Sequence, residues 1–523
     1  MADTKREIER KFEFGSEKAA RRGLPDLAGT AGIAAVADRG TVELDAVYYD
    51  TPDQRLAADG LTLRRRTGGA DAGWHLKLPV SPGVRDEIAA PLSDTVPRPL
   101  AALLRSRVRD GGLEPRVRLL SSRTISHLLD AEGTVLAELS TDRVRAEAGQ
   151  TGAGPAGAAA GQTAAGPAAS WTEIEVELAE GTDPALLDAV EKAFRAAGIR
   201  VSDAPSKLAR ALAETGTAPA PRPAPGPAED TAGAHVLAYL RLQRDALIAQ
   251  DPAVRRGLPD SVHQMRVACR RTRSALKTFR KVLDRTATDP LGDELRWLAA
   301  ELGADRDQEV LHARILDRIA ELPRTLLQGP VRSRLRTWHA ARRAGTRRRA
   351  LAALDSKRYL ALLDALDALL DDPPLRAAAD KPAAKVLAKA ILRDHDRLAT
   401  RIAAARALEP GTDRDLALHE ARKAAKRARY AAEAAAEALG KPATRQAKAV
   451  KAVQTLLGDH QDSVVAREAL RDIGLQATAA GDSAFTWGVL YAREEALAAA
   501  GERELADVWA NASDPALRAD LTP

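Results

Sequence analysis

In the first half of the chain, apolar and polar residues alternate with a period of two. In EIERKFEF, residues 7–14, Glu7, Glu9 and Lys11 share one side of a strand, and Ile8, Arg10 and Phe12 the other. Short alternating segments of this kind, broken by Gly and Pro, predict antiparallel strands up to about residue 214. Beyond residue 230, Ala, Leu, Arg and Glu recur at helical spacing with few breakers, which predicts an all-α region. Between them lies TGTAPAPRPAPGPAED, residues 215–230, a Pro/Ala-rich linker expected to be extended. The chain thus reads as a multidomain α+β protein: a β-rich domain over 1–214, a linker over 215–230 and an all-α domain over 231–523. A second low-complexity run, residues 149–170, reads as a loop within the first domain.

The polar sides of the predicted strands are charged, and they carry both signs. Arg64 and Arg66 share a face in LTLRRRT, as do His75 and Lys77 in WHLKL and Arg85 and Glu87 in VRDEI. Glu138 and Asp142 fall together in AELSTD, and Glu173, Glu175 and Glu177 alternate with Ile174, Val176 and Leu178 in WTEIEVEL. An open sheet needs only a solvated second face. Closing this sheet with its apolar side outward, under helices, makes a charged tunnel instead. Unpartnered charges inside a tunnel are costly, so a ligand of matching chemistry is implied. Basic residues grip a polyanion, and carboxylates offer hard oxygen ligands to a divalent metal.

Charge and composition narrow the partners. Residues 1–230 hold 29 Lys and Arg against 34 Asp and Glu, and residues 231–523 hold 50 against 39. The net charge of +6 therefore arises wholly from the second half, which points to a polyanionic partner there. Aromatic residues are 3% of the chain, which argues against the stacking used to bind single-stranded nucleic acid. Cys269 is the only cysteine, so intramolecular disulfides are excluded. The charged start MADTKREIER has no signal-peptide core, and no apolar run is long enough to span a bilayer, so a cytoplasmic protein without a membrane partner is expected.

EIERK resembles the ExExK signature of the CYTH domain, the triphosphate tunnel metalloenzyme family. Residues 48–69, YYDTPDQRLAADGLTLRRRTGG, are similar to its second hallmark, and WHLKLP, EIEVEL and SKLAR (206–210) follow in the family's order. The resemblance implies a closed antiparallel β tunnel with flanking helices that acts on triphosphates with Mg²⁺ or Mn²⁺. It implies that Glu7, Glu9, Asp142, Glu175 and Glu177 hold metal. It further implies that Lys11, Arg64, Arg66, Lys77, Arg85, Arg123, Lys207 and Arg210 hold substrate phosphates. Glu7, Glu9, Lys11, Glu175 and Glu177 would form the catalytic group. Glu173 lies on the same face, and sequence alone leaves open which of the three glutamates bind metal.

The second half contains an internal repeat. VHQMRVACRRTRSALK (262–277) matches LHEARKAAKRARYAAE (418–433), and ELGADRDQEV from Glu301 matches LLGDHQDSVV from Leu457. The two copies predict a pair of helical bundles. In each, a His and basic residues at +3, +7 and +10 follow one helical stripe: His263, Arg266, Arg270 and Arg273, then His419, Arg422, Lys426 and Arg429. Closely set cations on one stripe favour an extended anion. The repeat resembles the CHAD domain, a conserved-histidine helical module, and the resemblance implies that these eight residues bind inorganic polyphosphate. The combined expectation is hydrolysis of inorganic triphosphate in the tunnel, coupled to polyphosphate binding by the helical domain, with localisation at polyphosphate granules. A non-catalytic polyphosphate-binding protein, or a CYTH enzyme acting on nucleotide or thiamine triphosphate, including an adenylate cyclase, is the alternative.

Overall fold

The computed structural model describes residues 3–148, 168–218 and 228–521. It comprises two compact units, Met1–Arg222 and Pro223–Pro523.

Among the described residues the first unit has nine strands: β1 (Asp3–Phe14), β2 (Ala35–Asp50), β3 (Thr62–Thr67), β4 (Gly73–Ser81), β5 (Val84–Ala90), β6 (Glu114–Leu129), β7 (Val135–Ala148), β8 (Ala168–Leu178) and β9 (Ile199–Val201). Its helices are α1 (Glu17–Arg22), α2 (Arg55–Ala58), α3 (Arg98–Val108), α4 (Ala185–Ala196) and α5 (Lys207–Glu214). The sheet order is β5-β4-β3-β2-β6-β7-β8-β1, all antiparallel, and β5 pairs back onto β1, so eight strands close into a barrel with β9 added beside β1.

The barrel is apolar outside and charged inside. Phe12, Ile174 and Val176 pack outward against Leu187, Val190 and Phe194 of α4, with Phe12 and Phe194 edge to face at 4.9 Å. Leu63, Trp74 and Leu76 pack under Leu100 and Leu104 of α3, and Val117 and Leu119 under Leu208 and Leu212 of α5. Burying these rows outward is what forces the alternate, charged rows inward. Gly83 makes the β4–β5 turn at φ +73, and its carbonyl accepts from Glu9 N at 3.0 Å, tying the turn to the site.

The low-complexity run lies largely outside the described residues, but Ala168–Ser170 belong to β8. The linker is also shorter than its composition suggests. Thr215 is buried and donates to Ala211 O, and Gln54 donates to Thr217 O at 2.7 Å, so residues 215–217 are bound into the first unit.

The second unit is helical: α6 (Ala232–Arg256), α7 (Ser261–Thr278), α8 (Arg285–Ala320), α9 (Val331–Arg343), α10 (Thr346–Asp355), α11 (Lys357–Asp371), α12 (Ala383–Arg406), α13 (Thr412–Ala434), α14 (Ala436–Leu439), α15 (Lys441–Ala479) and α16 (Phe485–Ala512). The repeat maps onto α7–α8 and α13–α15. The two bundles share a core. One core cluster takes Val236, Met265 and Leu295 from the first and Leu387, Ile391 and Ala431 from the second. No helix among the described residues is long and apolar enough to cross a membrane.

Candidate functional site

Strand register brings the charges of the barrel side by side, because residues directly opposite in antiparallel strands point to the same face. Glu7 stands opposite Arg85, Glu87 opposite Lys77 and Lys11 opposite Glu175; Asp142 has Arg123 on one side and Glu173 on the other. Glu7, Glu9, Lys11, Arg64, Arg66, Lys77, Arg85, Glu87, Arg123, Glu175, Glu177 and Lys207 all line one cavity of about 300 Å³.

Two groups of side chains form within it. In the first, Lys77 Nζ donates to Glu7 Oε2 at 2.6 Å, Arg64 lies 3.5 Å from Glu87 and 3.4 Å from the Tyr48 hydroxyl, and His75 Nδ1 is 2.9 Å from Glu87. Burial pushes the Glu7 carboxyl up to about 7; Lys77 opposes this and Glu87 adds to it. Burial and the neighbouring Arg64 and Arg123 push the Arg66 guanidinium below its usual range, and Arg66 also pairs with Asp71.

The second group is built around Glu175. Lys11 bridges Glu175 and Glu9, the latter at 3.2 Å, and Arg85 lies 3.6 Å from Glu9. Arg123 reaches Asp142 and Glu175 at 2.8 and 2.9 Å. Lys207 lies 2.9 Å from Asp142, 2.8 Å from Glu173 and 2.5 Å from Glu175. Burial alone would raise these carboxyls. The cations reverse it: Lys11 chiefly for Glu9 and Glu175, and Lys207 and Arg123 for Asp142, hold all three below the usual carboxylate range.

The structure places Glu173, which sequence left open, and sets Glu177 and Arg210 elsewhere than the sequence reading put them. Asp142, Glu173 and Glu175 offer oxygens that all lie within 4.8 Å of one another, so Glu173 joins the acidic cluster. Glu177 does not; two residues along β8 carry it toward the mouth, where it pairs with the largely exposed Lys5 at 2.5 Å. Arg210 is one helical turn beyond Lys207 and does not line the cavity. It binds Glu13 and Glu214 at 3.0 and 2.6 Å and lies over Trp171. Glu87 and Tyr48 are tunnel residues that received no role from sequence, although Glu87 shares the inward parity of Arg85. Asp50 of the YYDTP segment is structural, accepting from the backbone of Thr51, Leu56 and Ala57 to shape α2.

The carboxylate set fits a divalent cation in the chemistry of its donors: all are hard oxygens, and Asp142, Glu173 and Glu175 converge while nearly fully buried. The cations fit phosphate oxygens. Glu7 and Glu9 stand apart from that triad on β1, with Lys77 and Lys11 as partners.

In the helical unit, α7 and α13 pack together and merge their stripes. The Lys426 ammonium is pushed down to about 8, by burial first and then by Arg422, Arg270 and Arg266, which sets members of both copies at one place. Within the stripe, Arg266 pairs with Asp307 at 2.8 Å and Arg422 with Asp462 at 3.8 Å, the same contact in each copy. The first contact lies close over Gly303: a Cβ there would come within 2.8 Å of the Arg266 guanidinium, which would have to shift. His263 neighbours Arg266, Arg270 and Arg306, and His419 Nδ1 is 2.5 Å from Gln461. The far ends diverge. Arg273 adjoins Arg296 and Lys277, whereas Arg429 is held by Glu433 at 2.6 Å.

Family models match the chain as a CYTH domain over residues 5–212 and a CHAD domain over residues 238–471. An uncharacterized protein of Mycobacterium tuberculosis is 40% identical over 498 residues, covering 94% of this chain and 93% of its own. Among solved structures, the CHAD domain from the plant Ricinus communis is 29% identical, with a TM-score of 0.44 over 56% of this chain and 97% of its own. PptA from Streptomyces chartreusis is 24% identical, also at 0.44, over 53% of this chain and 99% of its own. The assignment rests on the family models and on the Mycobacterium relative: the chain belongs to the family of proteins in which a CYTH domain is followed by a CHAD domain.

Proposed function

We propose that the tunnel hydrolyses inorganic triphosphate with Mg²⁺ or Mn²⁺ and that the helical domain binds inorganic polyphosphate. The observation that supports this most is the coexistence of both signs in one closed cavity: Arg64, Arg66, Lys77, Arg85 and Arg123 beside Glu7, Glu9 and Glu175. A site for a bare anion has no use for so many buried carboxylates. A site for a bare cation has no use for four guanidiniums and an ammonium.

In this reading Asp142, Glu173 and Glu175, with Glu7 and Glu9 on the neighbouring strand β1, hold divalent cation. When bound, such a cation neutralises phosphate oxygens and acidifies a water. Arg64, Arg66, Lys77 and Arg123 orient the phosphate chain and stabilise charge developing on the leaving phosphate. Enclosure by the barrel strengthens each of these contacts by excluding water.

The test is phosphate release from tripolyphosphate, ATP and long-chain polyphosphate, each with Mg²⁺, Mn²⁺ or chelator. Cation-dependent release mainly from tripolyphosphate is the expected outcome. Release mainly from ATP would favour a nucleotide-acting enzyme, and no release with tight polyphosphate binding would favour a binding protein. For the helical domain, the double variant Arg270→Ala, Lys426→Ala is expected to weaken long-chain polyphosphate binding roughly tenfold; unchanged binding would exclude this groove.

A further inference from the structure

Lys207 stands where three carboxylates converge. Its Nζ lies 2.9, 2.8 and 2.5 Å from Asp142 Oδ2, Glu173 Oε1 and Glu175 Oε2, and all four side chains are at most 10% exposed. Three acceptors match the three N–H donors of an ammonium in number. The match in direction is poorer: Glu173 Oε1 is buried close to Nζ yet accepts no aligned hydrogen bond.

Charge decides what this arrangement can admit. The negative charges of Asp142, Glu173 and Glu175 are met by the positive charges of Lys207, Arg123 and Lys11. A divalent cation added to that neutral group would leave two uncompensated positive charges in a closed cavity, which is strongly unfavourable. Turning one cation away frees carboxylate oxygens and halves that excess, and the negative charge of a phosphate chain meets the rest. Arg123 is fixed by a two-pronged contact to Asp142, Nε and Nη2 both at 2.8 Å. Lys11 sits mid-strand and also binds Glu9. Lys207 opens α5, whose backbone is pinned by the Ser206 cap on Ala209 N and by buried Leu208, while its four-carbon stem borders the cavity. A swing of Lys207 needs side-chain rotation alone.

We propose that Lys207 is an exchangeable counter-ion. It neutralises the acidic cluster in the unliganded tunnel and turns to phosphate oxygens when divalent cation and triphosphate enter together. This rests on the triphosphatase reading and adds its regulation. Cation alone would strand a buried ammonium without a partner, and triphosphate alone would meet carboxylates still held by Lys207. Each ligand therefore strengthens the other, and by linkage the strengthening is equal in both directions.

The experiment is Mn²⁺ binding to the full chain, followed by the electron paramagnetic resonance of free Mn²⁺, with and without tripolyphosphate. Mn²⁺ alone is expected to bind wild type weakly and to bind Lys207→Met roughly tenfold more tightly, with tripolyphosphate coupling reduced by a similar factor. Lys207→Arg, which keeps the charge, should bind Mn²⁺ alone as weakly as wild type, and circular dichroism establishes that each variant is folded. Lys207→Gln replaces Lys207→Met if the latter does not fold. Mn²⁺ affinity unchanged in the neutral variant, with binding still abolished by Glu175→Gln, would overturn the counter-ion role while leaving the tunnel reading intact. Mn²⁺ binding indifferent to Glu175→Gln would overturn both.

Discussion

The two units treat charge in opposite ways. In the tunnel, charges of opposite sign are paired inside a closed barrel, so Lys77 meets Glu7, Lys11 meets Glu9 and Arg123 meets Asp142. On the helical unit, like charges from two copies meet, with Arg270 and Arg422 beside Lys426, and the only acids paired with the stripe's first turns are Asp307 on Arg266 and Asp462 on Arg422 among the described residues. The difference teaches what each surface suits. A barrel that holds both signs suits a ligand that carries both signs, a phosphate chain with its cation. An unbalanced stripe accepts a bare anion and pays for self-repulsion until one arrives.

The largest effect expected from breaking this contrast is Glu9→Gln. It should lower triphosphate hydrolysis by about 10²–10³-fold, the scale of losing one preorganised electrostatic contact, while long-chain polyphosphate binding is unchanged. Assaying both on one preparation checks it. Salt should separate the units next. If four stripe cations release counter-ions with the slope of a single strand, raising salt from about 50 to about 200 mM weakens polyphosphate binding roughly 50-fold. Tunnel kcat/KM should change much less, because its pairs are buried and poorly screened.

Lys426 gives a smaller effect with a definite sign. Its folded pKa of about 8 lies below the ordinary 10.5, so the native state binds this proton less tightly than the unfolded chain. The penalty is fully present below pH 8 and is relieved as pH rises from about 8 to 10.5. The anion needs the charged form, so polyphosphate affinity should fall several-fold over the same rise. Lys426→Met should raise Tm by roughly 2–4 °C near neutral pH, on the order of 1 kcal/mol, and weaken binding; thermal melts and titrations read both. The smallest effect compares the copies. Gly303→Ala forces Arg266 to move, whereas a Cβ at Gly458 meets Arg422 at an ordinary 3.6 Å. The first substitution should cost about 1 kcal/mol more than the second in denaturant unfolding.

Much of this was legible in the chain. Period-two alternation located the strands and told inward from outward residues, because outward Leu63, Trp74 and Leu76 must be covered and inward Arg64, His75 and Lys77 cannot be. The repeat located α7 and α13 and paired their cations, because spacings of three and four share one helical face. Composition overstated the linker, since a Pro/Ala-rich reading does not register that Thr215 and Thr217 find partners on the first unit.

Identity and facing of the charges were thus determined by the sequence, which is local information carried by the period of each element. Which charges meet was decided by tertiary structure alone. Glu173, Glu175 and Glu177 are equivalent by alternation, yet closure sets Glu173 and Glu175 beside Asp142 and Lys207 and leaves Glu177 with Lys5 at the mouth. Lys207 and Arg210 form one basic pair in SKLAR, yet one turn of helix puts the first among carboxylates and the second against Glu13 and Trp171. The physical reason is range: a side chain's face follows from its neighbours in the chain, whereas its partner depends on strand register and barrel closure, set by residues far away in sequence.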